Sequence, residues 1–421
     1  MWKDRIKPAA KGAGLYFLSF LKWLLAAGLL GAACGGVGAG FHKVLELVTE
    51  ARGACPWLIW LLPAAGVATL LLYRLCRVSF GAGTNLILEA VTENRHVPIL
   101  LAPSVFVGTA LSHLCGASVG REGAALQLGG SIGHNVGRLL RFDQEDVQTL
   151  AMCGMAACFS ALFGTPLTAA IFVLEVIEVG TVRYDALLPC AAASYAAFTV
   201  AGLLGLEPMT FALAGAIPAF SALTALKAAG LAALISALGA LFCLCVHGTE
   251  HLSKKWMKDP YVRIAVGGAL MAILTVCLGL GAYRGAGTDM IELAIAGQAQ
   301  PLAFLLKILL TALCVGTGFR GGEIVPTLFA GATFGCVVGP LLGLPAGFAA
   351  ALGMVALFCA VVNCPIASLF LAMELFGTAE LPRFVISVAV AFVLSGYYGL
   401  YSSQTIVFSK IKRREIRTKT K

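Results

Sequence analysis

Apolar residues fill this chain in long runs separated by short polar breaks. The runs fall at 14–40, 55–75, 98–114, 122–140, 147–162, 166–179, 186–205, 221–247, 261–282, 302–317, 324–343, 347–361, 365–376 and 384–400. A helix needs about 20 apolar residues to cross a bilayer, so several runs span it and several are too short to cross alone. The polar breaks, at 92–96, 141–146, 181–185, 253–263 and 283–287, are short. This pattern predicts a single all-α polytopic transmembrane domain over 1–421, with glycine-rich interruptions near 80–85, 117–122, 317–323 and 396–403.

Composition sharpens the membrane reading. Of 421 residues 59% are hydrophobic and only 12% charged, and the mean hydropathy is +0.90. The net charge of +9 comes largely from the ends, where Lys3, Arg5, Lys7 and Lys11 open the chain and positions 410–421 add seven more Lys or Arg. Beside membrane segments such charge is a topology signal, so 409–421 reads as a basic cytoplasmic tail and both termini are expected in the cytoplasm of a plasma (inner) membrane protein, with no nucleic-acid partner. The first apolar stretch lacks a small-residue cleavage site and reads as a membrane helix. Fourteen cysteines, with no CxxC pair, read as small buried hydrophobes. No cofactor or metal is expected.

Candidate chemistry concentrates at 116–133, where Arg121 and Glu122 sit between Gly116, Gly120 and Gly123 and a small-residue helix follows. An arginine or a carboxylate at membrane depth is costly, roughly 2.5–3.5 kcal/mol for Arg or Asp even on insertion scales, so this pair should line a path. A helix beginning inside the membrane aims free N–H groups at whatever sits there, which favours an anion. The structural alternative is an ion pair held for packing. Broken helices carrying a carboxylate are the architecture of transporter sites, because irregular backbone at that depth is tolerated where it lines a cavity.

The pattern also repeats. The run from Pro166 to Glu175 resembles that from Pro365 to Glu374, at an offset of 199, and Gly120-Arg-Glu-Gly-Ala124 echoes Gly322-Glu-Ile-Val-Pro326, at an offset of 202. Two pseudo-equivalent halves, 14–205 and 220–408, follow from the agreement. The second echo places Glu323 in the same pathway as Glu122. An ion pair with Arg320 or Arg121 is the alternative account of Glu323, and a helix cap beside Gly83 that of Thr84 and Asn85.

Two motifs point to enzymes. Gly116-Ala-Ser-Val-Gly120 fits the serine-hydrolase elbow, but no strand precedes it, and His247-Gly-Thr-Glu-His251 fits a zinc-binding helix face without a third ligand. An intramembrane hydrolase is therefore the different-class alternative, and the chain is expected not to be an enzyme.

The ordered set Gly116-x-Ser-x-Gly-Arg-Glu-Gly123, Phe163-Gly-Thr-Pro-Leu167 to Glu175, Gly321-Gly-x-x-x-Pro326 and Tyr401 resembles the CLC family of anion channels and proton-coupled antiporters. That resemblance implies a homodimer with one anion pathway per subunit, built from inverted repeats with broken re-entrant helices. It also implies a glutamate gate at Glu122 that competes with the anion and carries the proton. Three departures from the chloride members are similar to the fluoride-exporting branch: Gly83-Thr84-Asn85-Leu86-Ile87 replaces a serine loop, Val176 follows Glu175 in place of a second glutamate, and Glu323 with Ile324 occupies the turn before Pro326. The expected function is fluoride export in exchange for protons, with a chloride/proton antiporter or passive chloride channel as the alternative of the same class. Gating and proton transfer are expected at Glu122 and Glu323. Anion contacts are expected from Thr84, Asn85, Gly120, Arg121, Gly123, Ile324, Val325 and Tyr401. Fluoride is small and strongly hydrated, and helix N-termini, Thr84, the Asn85 amide and the Tyr401 hydroxyl could supply the donors it needs.

Overall fold

The computed structural model describes residues 2–213 and 217–421, with side chains from Tyr16 onward. The side chains of Lys3, Arg5, Lys7 and Lys11, on which the topology expectation partly rests, lie outside the described residues. The first half of the chain forms α1 (Trp2–Ala54), α2 (Leu62–Leu75), α3 (Thr84–Thr92), α4 (Leu101–Leu114), α5 (Glu122–Leu139), α6 (Gln144–Phe163), α7 (Pro166–Val176) and α8 (Leu187–Leu203). The second forms α9 (Ala222–Trp256), α10 (Pro260–Cys277), α11 (Thr288–Ile295), α12 (Ala303–Thr317), α13 (Ile324–Val338), α14 (Ala346–Val362), α15 (Pro365–Phe376) and α16 (Leu381–Leu394). Among the described residues, seven helical segments are long and apolar enough to cross a membrane. The glycine-rich interruptions fall between α2 and α3, between α4 and α5, between α12 and α13, and after α16.

The two halves end and restart helices by the same device. Helix α6 stops at Gly164 and α14 at Asn363, both left-handed at φ 69° and 59°. The next residues, Thr165 and Cys364, take nearly the same backbone (φ −121°, ψ 77° and φ −118°, ψ 78°), and a proline then opens α7 and α15. Proline suits the first turn because its missing N–H would have no helical partner there. Two further orphan donors of each helix are met from the other half. Glu175 near the end of α7 accepts from the N–H groups of Ile366 (3.1 Å) and Ala367 (2.7 Å), and Glu374 in α15 accepts from those of Leu167 and Thr168, both at 2.9 Å. Each carboxylate thus caps the helix that carries the other, with the negative charge at the positive end of the dipole.

Small residues let the helices behind the re-entrant turns touch backbone to backbone. A methyl group on Gly129 of α5 would stand 1.9 Å from the Gly154 carbonyl oxygen of α6, and one on Gly331 of α13 would stand 2.4 Å from the Gly353 oxygen of α14. Gly133 and Gly335 repeat the contact one turn on, against Leu150 and Ala349. Lipid supplies little hydrophobic drive between helices, so such close van der Waals packing holds the layers together.

The structure departs from the all-helical expectation at one edge. Strands β1 (Glu178–Val179), β2 (Thr405–Phe408) and β3 (Glu415–Lys419) form a small sheet in the order β1-β2-β3, parallel then antiparallel. The basic segment is thereby folded back, with Glu415-Ile-Arg-Thr-Lys419 alternating exposed and half-buried positions, as a one-faced strand does. Helices α3 and α11 are additions to the apolar runs. Both are short and amphipathic, and only part of each surface is buried.

The glycine contact is testable. Gly129→Ala should destabilise the purified protein by about 1–3 kcal/mol, the usual cost of overpacking, read as a lowered thermal midpoint in detergent. Gly230→Ala, where a methyl meets nothing within 4 Å, should leave the midpoint in place. Equal midpoints for both variants would contradict the packing account.

Candidate anion and proton pathway

Two re-entrant turns meet at one point inside the helix layers. The turn before α5 and the turn before α13 run antiparallel through a single β-bridge, Gly120 N–H to the Gly322 carbonyl at 2.6 Å and Gly322 N–H to the Gly120 carbonyl at 2.7 Å. Glycine is required on sterics, since a methyl on Gly322 would stand 2.4 Å from the Gly123 nitrogen. At Gly321, with φ +158°, a methyl would stand 2.4 Å from Val119 Cγ2. The first turns of α5 and α13 therefore start beside each other, their N–H groups lacking helical acceptors.

Both carboxylates sit at this bridge. Glu122, the first residue of α5, is fully buried and curls back, so that Oε2 accepts from the Arg121 N–H at 2.9 Å and Oε1 lies 3.3 Å from Arg121 Nε. Glu323 precedes α13, and its Oε2 lies 3.6 Å from where a Gly123 side chain would begin. The expected alternative partners of Glu323 are engaged elsewhere. Arg121 holds Glu122, while Arg320 donates to the carbonyls of Phe80 (2.5 Å) and Ala82 (3.2 Å) and lies over the Tyr73 ring at 4.3 Å. Ile324 and Val325 have buried side chains, so backbone N–H groups are what they can offer an anion.

A cavity of about 410 Å³ opens on Glu323 and is lined by Thr84, Asn85, Gln127, Arg320 and Tyr401 among others. Thr84 opens α3 and bridges two elements, accepting from Gln127 Nε2 at 3.2 Å and donating to the Gly123 carbonyl at 3.5 Å. The N-cap of α3 is Gly83, and no side chain caps that end. The Tyr401 ring is buried and its hydroxyl has no partner among the described residues. Asn85 is less available than expected. Its Nδ2 donates to Ser402 Oγ at 3.1 Å and its Oδ1 accepts from the Ser403 N–H at 3.2 Å, so this amide fastens the Tyr401 turn to α3.

A second cavity, about 520 Å³, reaches the other side of the bridge and is lined by His42, Arg52, His113, Arg121 and Arg284 among others. Ile59, just before α2, packs at Gly116 with Arg52 and Arg284 of this cavity, and Lys307, early in α12, donates to the Gly285 carbonyl. Phe80 beyond α2 and Val315 and Gly316 at the end of α12 line the first cavity, so the two cavities lie at opposite ends of these helices.

Sequence reasoning did not single out Gln127 as a site residue. Its position five residues after Glu122, as the lone amide in a run of Gly, Ala and Leu, was the available signal. Arg320 was considered only as a counter-ion, whereas it ties the turn of α13 to the loop of α3. The enzyme motifs separate in space. Ser118 is buried against Thr311 Oγ1 at 3.3 Å and the Cys314 sulfur, and His251 lines a different cavity from His247 and Glu250.

The fold defines a multi-pass membrane protein in which two carboxylates, Glu122 and Glu323, lie beside the bridge between two re-entrant turns. A family model described as voltage gated chloride channel matches residues 64–396. The chloride/fluoride channel protein of Pseudomonas syringae pv. tomato is 37% identical over 93% of this chain and 88% of its own length. The H(+)/Cl(-) exchange transporter ClcA of Vibrio cholerae is 28% identical over 92% and 90%. Among solved structures, a CLC-type fluoride/proton antiporter superposes with a TM-score of 0.88 at 34% identity, covering 92% of this chain and 98% of that one. The chain belongs to the voltage gated chloride channel family, the CLC family, and is a multi-pass membrane protein.

Arg320 carries a prediction of its own. A lysine cannot bridge the two carbonyls that the guanidinium fork reaches, so Arg320→Lys should loosen the loop that presents Thr84. Anion efflux from proteoliposomes, per folded molecule, should fall about tenfold, equal to about 1.4 kcal/mol. Wild-type flux in that variant would contradict the clamp.

Proposed function

We propose that this protein exports fluoride in exchange for protons. The observation that carries the reading is the pairing of Glu122 and Glu323 beside the Gly120–Gly322 bridge, with one cavity lined by Glu323 and the other by Arg121, which holds Glu122. A carboxylate there holds a proton when neutral and excludes an anion when charged, so one group couples the two movements. Glu122 is the gate and Glu323 the second proton-bearing group. The unpartnered Tyr401 hydroxyl and the N–H groups at Gly123, Ile324 and Val325 form a small, donor-rich site, while the Gly120 N–H is spent on the bridge, the Arg121 N–H on the Glu122 carboxylate and the Thr84 hydroxyl on the Gly123 carbonyl. Such a site favours an ion that repays dehydration with short, strong hydrogen bonds, which ranks fluoride above chloride. The likenesses to a chloride/fluoride channel protein and to a fluoride/proton antiporter support the same ranking.

The molecule works as a transporter without catalysis, as a homodimer with one pathway per subunit. It consists of two inverted repeats, 14–205 and 220–408, a division supported by the reciprocal Glu175 and Glu374 caps and the matched glycine contacts. Both termini face the cytoplasm across the plasma membrane. Helix α1 ends beside the Arg52 cavity and so begins on the opposite face, and the basic C-terminal strand lies on that opposite face too, with Lys419 3.5 Å from Glu93. That face takes the positive charge of the tail.

Glu122→Gln tests the coupling. The neutral amide keeps the shape and cannot titrate, so proton movement with the anion should be abolished while the folded yield holds. Measured in proteoliposomes with fluoride and proton fluxes recorded together, a variant that still drives anion uphill on a proton gradient would overturn the gate assignment.

A further inference from the structure

We infer that Glu250, at the end of α9, is the proton acceptor of the Glu323 cavity: it takes the proton released by Glu323 and passes it to solvent. The inference rests on the proton-coupled reading above. Glu250 lines the same cavity as Glu323 and Tyr401. Its side chain is 45% exposed, whereas Glu323 is half-buried beside the bridge, so Glu250 has one side on the cavity and one on bulk water.

The other ionisable groups lining this cavity are already committed. Arg263 and Arg320 stay charged throughout the working range, and Arg320 is bound to two carbonyls. Tyr401 is closed off from bulk water by burial. His247 donates through Nε2 to the Gly399 carbonyl at 2.8 Å, which fixes its ring. Lys254, one turn on in α9, lies 2.5 Å from Glu250 Oε1 and holds the carboxylate over the cavity. The carboxylate of α7 is unavailable, because Glu175 caps α15 and the residue after it, Val176, is fully buried.

The transfer is balanced. The O–H bond of protonated Glu323 breaks, its proton moves through the cavity solvent to the Glu250 carboxylate, and Glu250 then returns it to bulk water. The helix pattern that suggested zinc is thus divided by geometry: His247 and Glu250 face the pathway, while His251 faces the pocket between Leu252 and Trp256.

Proteoliposomes of wild type, Glu250→Gln and Glu250→Asp, with fluoride and proton fluxes recorded together and normalised to monodisperse protein, test this. Glu250→Gln keeps a hydrogen bond to Lys254 and cannot titrate. Its coupled flux should fall roughly tenfold, less than the ~10²-fold of an enclosed general base because cavity solvent offers a slower route. Its pH profile should flatten, and Glu250→Asp should restore both. A structural role predicts lower yield with the wild-type profile per folded molecule. Coupled wild-type transport with an indifferent Glu250→Gln overturns this inference alone, whereas an uncoupled wild type overturns the antiport reading together with it.

Discussion

The two hydrogen bonds between Gly120 and Gly322 are the constraint on which the pathway depends. They join two turns from distant parts of the chain, at 2.6 and 2.7 Å, and every group argued to move an ion or a proton is placed relative to them. Main chain can approach this closely only where side chains are missing, so the glycines around the bridge are a geometric necessity. Behind the bridge, Gly129 and Gly331 bring α6 and α14 hard against α5 and α13. Tight helix packing thus fixes where two helix N-termini point.

The same logic accounts for the carboxylates away from the pathway. Glu175 and Glu374 each accept two backbone N–H groups, and hydrogen bonds to a charged acceptor contribute about 1.5–3 kcal/mol apiece. Glu122 and Glu323 cap no helix of the other half: Glu122 is held by Arg121, its neighbour in sequence, and Glu323 opens on a cavity, which is what distinguishes them from the two structural carboxylates.

Much of this was legible in the residues. Long apolar runs locate the helices, and the Pro166 and Pro365 segments expose the repeat because proline, glutamate and their spacing serve one capping device. Glu122 and Glu323 stand out because charge at membrane depth needs a reason. Other features depend on tertiary placement and leave little trace. The commitment of Asn85 to Ser402 and Ser403 spans more than 300 positions. Helices α3 and α11 hide in breaks because they are short and carry polar residues on one face, so neither makes an apolar run. The sheet at the basic end was missed because a run of cations reads as solvated tail until β2 offers it an edge. Arg320 looked like a counter-ion, since carbonyl acceptors cannot be read from side-chain types.

The central claim is that one narrow point exchanges fluoride for protons. The most direct measurement loads liposomes containing the purified wild-type protein with fluoride or chloride in parallel and follows anion efflux and proton uptake together. The account predicts fluoride efflux much faster than chloride, with protons moving inward in fixed proportion. Equal fluxes of the two anions, or fluoride efflux with no proton movement, would contradict it.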